Sequence, residues 1–310
     1  MMRDVRDEQD SPGPDERSEA LTGEERAGAR SPLRADVLRD RLLAPAGPLA
    51  RLEVVPRAGS TNAELVAAVR RDPAAWPAPA VLVADHQEAG RGRAGRTWTT
   101  PPRAALTASV LLRPGVPAVR RGWAPLLVGL AAVRALRGAA GVPAALKWPN
   151  DLLLPAAAGD ARDLDGWGRW RKVGGVLTEA VDDAVVAGVG VNVDQVADEL
   201  PVPWATSLAV AGAPHADREG LLVALVTALG EVGERWRDAD GDAAAAGLAA
   251  EVADTCATLG QDVRVDAPGG MVVEGRAESL GDDGSLLVRV TGGELHPVLA
   301  GDVGHLRTGS

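Results

Sequence analysis

Two lysines and three asparagines are the only residues of their kinds in this 310-residue chain. They are Lys147, Lys172, Asn62, Asn150 and Asn192, and each stands in a segment of chemical character. Phe, Tyr and Ile are absent, and Arg, Ala, Val, Leu and Gly take their place, the mark of a GC-rich coding sequence. Under that bias a replaceable lysine drifts to arginine. A surviving lysine points to a place where a compact ammonium is needed and a planar guanidinium will not serve. The segments so marked are Ser60-Thr61-Asn62, Lys147-Trp148-Pro149-Asn150-Asp151, Lys172-Val173-Gly174-Gly175 and Gly188-Val189-Gly190-Val191-Asn192. Gly90-Arg91-Gly92-Arg93-Ala94-Gly95-Arg96-Thr97-Trp98 joins them on its own chemistry.

Arginines alternating with glycines suit a flexible loop that closes over a polyanion. Glycine lets the backbone approach the ligand, and arginine neutralises developing charge. The run fits the G-x-G-x-x-G dinucleotide pattern in letters only. Its continuation into Pro101-Pro102 cannot be the required helix, and no acidic residue follows about twenty positions on. A solvated basic loop is the plain alternative. Ser60 and Thr61 read equally well as a helix cap. Asn62, with amide donors and acceptors, suits a polar ligand ring such as an ureido group, and Gln87 offers the same. Lys147, Asn150 and Asp151 put an ammonium, an amide and a carboxylate at a strand end. Asp151 is a candidate Mg²⁺ ligand beside a bound triphosphate; an ordinary Asn-Asp turn is the alternative. Lys172 opens a strand next to Gly174-Gly175, where a ligand can come close. Asn192 ends another strand.

Positioning these groups takes a folded protein of ordinary composition. Hydrophobic residues are 46% and charged residues 25% of the chain, and the formal net charge is −10. That charge argues against a general nucleic-acid binder or a binder of anionic membranes. The single cysteine, Cys256, allows no intrachain disulfide and fits a reducing, cytoplasmic setting. No signal peptide is visible, and the apolar run Ala124–Val133 is read as too short to span a bilayer. From Ala89 through Asn150 there is no acidic residue but ten Arg and Lys, which suggests an anion pocket; Arg134 and Arg137 read as solvated helix-face residues.

Residues 1–31 read as a disordered acidic tail. Periodicity predicts helices over Leu33–Leu42, from Thr61-Asn62-Ala63-Glu64 as a capping box to Arg71, over Trp123–Gly138 and over Glu219–Arg237. Strands are expected at Leu52–Val55, Ala80–Ala84, Leu106–Leu112, Ala145–Trp148, Val173–Glu179 and Ala184–Val193. Pro155–Arg171 reads as an inserted surface loop, and Asp238–Ala246 as a domain junction. After Cys256 the pattern is all β, with strands at Val263–Val265, Met271–Leu280, Ser285–Val290 and His296–Ala300, which suggests a small barrel.

In order and spacing these segments resemble those of the biotin–protein ligases, over about residues 33–307. The resemblance implies an α+β architecture: a catalytic domain over 32–253 with a mixed sheet and flanking helices, similar to class II aminoacyl-tRNA synthetases, and a small C-terminal β-barrel over 254–310. It implies activation of biotin by Mg·ATP to biotinoyl-AMP, then transfer to a lysine of the biotin carboxyl carrier domain of an acyl-CoA or pyruvate carboxylase. Carried over by position, Ser60, Thr61, Asn62 and Gln87 contact biotin, while Arg91-Gly92-Arg93 orders over biotin and the phosphates. Lys172 sits on the biotin carboxylate or the bridging oxygen. Arg96, Trp98, Lys147, Asn150 and Asn192 serve the nucleotide, and Asp151 the metal. Trp204 is a weaker candidate for stacking on adenine, with core packing as its expected role. No helix-turn-helix pattern lies in residues 1–31, so repressor activity is not expected. A homodimer through the sheet edge is compatible with the sequence. The rival readings are a lipoate– or octanoate–protein ligase of the same fold and a non-catalytic sensor of biotin or nucleotide.

Overall fold

The structure, a computed structural model, describes residues 23–160, 162–213 and 216–306. In chain order the elements are α1 (Gly23–Ala29), α2 (Ala35–Leu42), β1 (Arg51–Val55), α3 (Thr61–Arg71), β2 (Ala80–Ala84), β3 (Gly90–Arg91), β4 (Thr97–Trp98) and β5 (Ala105–Leu112). Then follow α4 (Ala124–Ala140), β6 (Ala145–Lys147), β7 (Asp151–Pro155), β8 (Trp170–Val181), β9 (Ala184–Asn192), α5 (Arg218–Asp238) and α6 (Leu248–Thr255). The chain closes with β10 (Asp262–Asp266), β11 (Val272–Leu280), β12 (Leu286–Val290), β13 (Leu295–Val298) and β14 (Asp302–His305).

A seven-stranded sheet in the order β1-β2-β5-β9-β8-β7-β6 forms the centre. β1 and β2 pair in parallel across α3, and the other ladders are antiparallel. The sheet is therefore mixed, as expected. β2 is Ala-Val-Leu-Val-Ala and wholly buried, because helices and sheet neighbours cover both its faces. α4 is apolar almost all round and ends at Gly141 in the left-handed region (φ 64°). Together with the 3-10 turn before it, Ala118–Ala140 is long and apolar enough to cross a membrane, contrary to the expectation from the shorter run. Its apolar window is 67% buried inside the protein, so it is packed as a core helix.

Several expectations are corrected. The tail assigned to 1–31 falls partly outside the described residues. Its last part is structured: Gly23–Ala29 form α1, and Arg30 bonds Glu199 and the Asp194 carbonyl. The helix cap is Ser60 rather than Thr61. Ser60 Oγ accepts from the Ala63 N–H at 3.4 Å, and Glu64 accepts from the Gly59 N–H at 2.5 Å. Asp151–Pro155, where no strand was expected, form β7. Just after the expected junction at Asp238–Ala246 lies a helix that was not expected, α6, whose buried Leu248 and Val252 join the main core. Arg134 and Arg137 are not merely solvated: Arg134 pairs with Glu231 and Glu251, and Arg137 donates to the Ala144 carbonyl.

The C-terminal strands form a five-stranded antiparallel sheet in the order β13-β12-β11-β10-β14, whose outer strands are not ladder partners. Its Val263, Val265, Ala277, Leu286 and Val288 belong to the same buried cluster as Leu146, Trp148 and α4. Trp148 Nε1 donates to the Gly284 carbonyl and Trp123 Nε1 to that of Asp282, so the two units are joined by apolar and polar contacts alike.

Candidate functional site

A cleft of 490 Å³ opens on the sheet, and every site residue named from the sequence lines it. The floor is β8 and β9, where glycines bring the backbone close to whatever lies above. An ideal Cβ at Gly190 would stand 2.9 Å from the Trp98 ring, and one at Gly188 2.8 Å from Asn62 Oδ1. Here glycine is a matter of close approach, as the sequence suggested at Gly174-Gly175.

One end of the cleft is polar and neutral. Ser60, Thr61 and Asn62 form the first turn of α3 and are 5%, 2% and 4% exposed. Gln87 Oε1 accepts from the Thr61 N–H at 2.8 Å and from its hydroxyl at 3.0 Å, and the Ser109 hydroxyl donates to Thr61 Oγ1. The cap and the ligand-facing surface are thus the same residues, so the two readings of Ser60 and Thr61 do not exclude one another.

The other end is charged. Lys172 Nζ lies 2.5 Å from Asp151 Oδ1 and 6.0 Å from the centre of the Trp98 ring. Lys147 is 3% exposed; its ammonium donates to the Gly166 carbonyl at 3.0 Å and sits 3.8 Å from the Trp167 ring. Burial pulls the Lys147 ammonium from 10.5 down to about 8, with Asp151 opposing the shift and Lys172 adding to it. His305, beside it, is pushed down to about 4, by burial first and then by the Lys147 charge. It is neutral at pH 7 and adds no positive charge.

The glycine–arginine segment is more ordered than the expected flexible loop. β3 and β4 pair as a hairpin, and Ala94 and Gly95 take left-handed φ of 53° and 73° at its tip. Arg93 donates to Asn150 Oδ1 at 3.2 Å, and its Nη1 lies 3.5 Å from the Gly301 carbonyl. Burial lowers the Arg93 pKa from the usual arginine value, and Asp302 and Asp151 oppose this. Arg96 pairs with Asp302, while Arg91 is exposed at the cleft edge. Of the ten Arg and Lys between 89 and 150, only Arg91, Arg93, Arg96 and Lys147 line the cleft. Arg103 and Arg120 bond elsewhere, to the Arg30 carbonyl and to Asp242.

Two side chains have protein partners that the sequence did not show. The Asn192 amide is engaged inside the protein: Nδ2 donates to the Thr206 carbonyl and Oδ1 accepts from Gln195. It braces the cleft wall in this arrangement. Trp204 is not core. It is 37% exposed and stacks on Trp167 with centroids 5.9 Å apart and planes 12° from parallel.

Sequence reasoning missed two contributors. The inserted loop supplies Gly166 and Trp167 to the cleft. Its signal was Trp167 and Trp170 in an otherwise polar stretch. From the C-terminal sheet come Asp266, Asp302, Val303 and Gly304. No local pattern marks these, because only packing brings β14 to the cleft.

Known proteins resemble this arrangement closely. The model of the biotin/lipoate A/B protein ligase family matches residues 55–195, and that of the biotin protein ligase C terminal domain matches 258–306. The biotin–[acetyl-CoA-carboxylase] ligase of Mycobacterium tuberculosis is 39% identical over 282 residues, 90% of this chain and 97% of that protein. The bifunctional ligase/repressor BirA of Bacillus subtilis is 34% identical over 154 residues, 47% of this chain and 43% of that protein. The biotin protein ligase of Aquifex aeolicus, solved with biotin and ATP, superposes with a TM-score of 0.64 at 25% identity, covering 84% of this chain and 100% of that one. With a polar pocket and a cationic pocket joined on one sheet, and with likeness to a ligase along nearly its whole length, the chain belongs to the biotin protein ligase family.

Proposed function

We propose that the chain is a biotin–protein ligase that uses ATP to join biotin to a lysine of a carboxylase's biotin carrier domain. The observation that carries this is the cleft itself: a neutral polar end sized for a ring, continuous with an end holding Lys147, Lys172, Arg93 and Arg96. The biotin carboxylate attacks the α-phosphorus of ATP, the bond to the β-phosphate bridging oxygen breaks, and pyrophosphate leaves. The carrier lysine, as a free amine, then attacks the acyl carbon of biotinoyl-AMP. An amide forms, AMP leaves with the electron pair, and the amine loses its proton.

Both steps place negative charge on oxygens near the cleft centre, which fixed cations stabilise. Lys172 is the group for the biotin carboxylate and the bridging oxygen. Its ion pair with Asp151 holds it in place before substrate arrives. Arg91, Gly92 and Arg93 cover biotin and the phosphates and keep water from the mixed anhydride. Arg96, Trp98, Lys147 and Asn150 receive the nucleotide, with Asn192 behind them. Trp204, with its exposed indole, is the candidate face for adenine.

Among the described residues no cluster of three or more His, Cys, Asp or Glu side chains is placed to hold a metal. A single carboxylate still fits Mg²⁺, which takes most of its ligands from phosphate and water, and Asp151 is that carboxylate. Mg²⁺ bound there would neutralise phosphate charge. The free, buried Cys256 suits the reducing cytoplasm.

The test is mass spectrometry of the purified protein with Mg·ATP and either biotin or lipoate. Biotinoyl-AMP from biotin alone is expected. Lipoyl-AMP instead would move the chain to the lipoate side of the family. Neither adenylate from folded protein would leave a non-catalytic binder. An aliphatic tail in the polar end would leave Asn62 Oδ1 without a partner, which is why biotin is favoured.

A further inference from the structure

At the polar end of the cleft, Asn62 Oδ1 is buried without a hydrogen-bond partner. The amide nitrogen of the same side chain is fully engaged. It donates to the Leu177 carbonyl at 3.3 Å and to Glu179 Oε2 at 2.6 Å. Those two bonds use both amide hydrogens. The Leu177 carbonyl and the Glu179 carboxylate oxygen both accept, so together they favour this amide orientation over its flip. The oxygen is thereby turned toward Gly188, where a Cβ would stand 2.8 Å from it. Asn62 and Gly188 line the biotin cleft, whereas Glu179 lines an adjoining cavity that shares the hairpin residues Arg91, Gly92 and Arg93 with it. Buried acceptors are seldom left unpaired, so the partner of this one is a donor carried by the ligand.

We propose that Glu179 is a positioning residue that fixes Asn62 as a hydrogen-bond acceptor, so that the site selects a ring presenting an N–H. The inference rests on the functional reading above, in which that N–H belongs to the ureido ring of biotin. Glu179 touches no ligand. It acts by deciding which end of the Asn62 amide the ligand meets. With the amide reversed, the same residue would present N–H groups to the ligand's N–H.

The test is Glu179→Gln. Glutamine both donates and accepts, so it removes the preference that Glu179 adds and leaves only the longer bond to the Leu177 carbonyl to hold the observed orientation of Asn62. Pyrophosphate release is measured with biotin and with biotin methylated on each ureido nitrogen in turn. In the unmodified enzyme, methylation of the nitrogen that faces Asn62 lowers kcat/KM by about tenfold or more, the worth of one buried hydrogen bond. In Glu179→Gln the KM for biotin rises by a similar factor, the methylation penalty shrinks, and the KM for ATP and kcat at saturating biotin hold. Unchanged KM for biotin with an unchanged methylation penalty overturns the proposal. So does an equal loss toward biotin and ATP, which marks a purely structural residue. Acceptance of both methylated biotins by the unmodified enzyme overturns it too, and can be read even if the variant does not fold. No pyrophosphate from biotin itself would refute the functional reading, an outcome distinct from the other three.

Discussion

Lys147 and Lys172 do different work because their surroundings differ. Lys172 is held by a carboxylate 2.5 Å away, whereas Lys147 is buried against an indole and a carbonyl. Lys172→Ala is expected to slow biotinoyl-AMP formation by about 10²–10³-fold, the range for loss of one fixed charge-stabilising donor. Circular dichroism should show an unchanged fold, and normal pyrophosphate release would remove Lys172 from its assigned role. For Lys147 the expectation concerns pH. Its value of about 8 is that of the free protein, and phosphate binding favours the charged form. ATP affinity is therefore full below that value and begins to weaken as pH rises through it. Lys147→Arg stays charged throughout and should lose this inflection. Calorimetric titration of ATP from pH 7 to pH 10 reads both curves.

At the scale of elements, the cleft depends on a bare floor and a covering hairpin. A Cβ on Gly174 would stand 2.3 Å from the Gly190 carbonyl oxygen and 3.2 Å from Leu152 Cδ1. Gly174→Ala should destabilise the protein by about 1–3 kcal/mol, the range for overpacking, as read by urea unfolding. Gly138 in α4 faces open space, so Gly138→Ala should instead stabilise by about 0.5–1 kcal/mol. The β3–β4 hairpin reaches Asn150 and the C-terminal sheet through Arg93. Arg93→Ala should speed biotin dissociation or release free biotinoyl-AMP into solution. A dissociation rate equal to that of the unmodified protein in stopped-flow would count against the covering role.

For the whole molecule, the feature with consequences is a shared core. The two units meet through Trp148, Trp123 and one continuous apolar cluster. Unfolding is expected to be one cooperative event, with tryptophan fluorescence and far-ultraviolet circular dichroism giving coincident midpoints. Two separated transitions would show that the C-terminal sheet is stable alone. The same packing carries Asp302, Val303 and Gly304 into the cleft, so loss of the C-terminal sheet should impair catalysis as well as stability.

By itself the sequence determined the chemistry and much of the scaffold. Rare lysines and asparagines under a GC-rich bias marked the segments, and all five of those residues line one cleft. Period-2 and period-3.6 patterns placed most strands and helices, because burial on one face leaves a local trace. Contacts between distant segments leave none. Only the tertiary structure decided that Trp204 stacks on Trp167 instead of entering the core, and that the Asn192 amide braces the wall. It also decided that the inserted loop and β14 reach the site. The orientation of Asn62 is the sharpest case. It depends on Leu177 and Glu179, 115 and 117 positions away, and a hydrogen bond's polarity is set by the partners that folding brings to it.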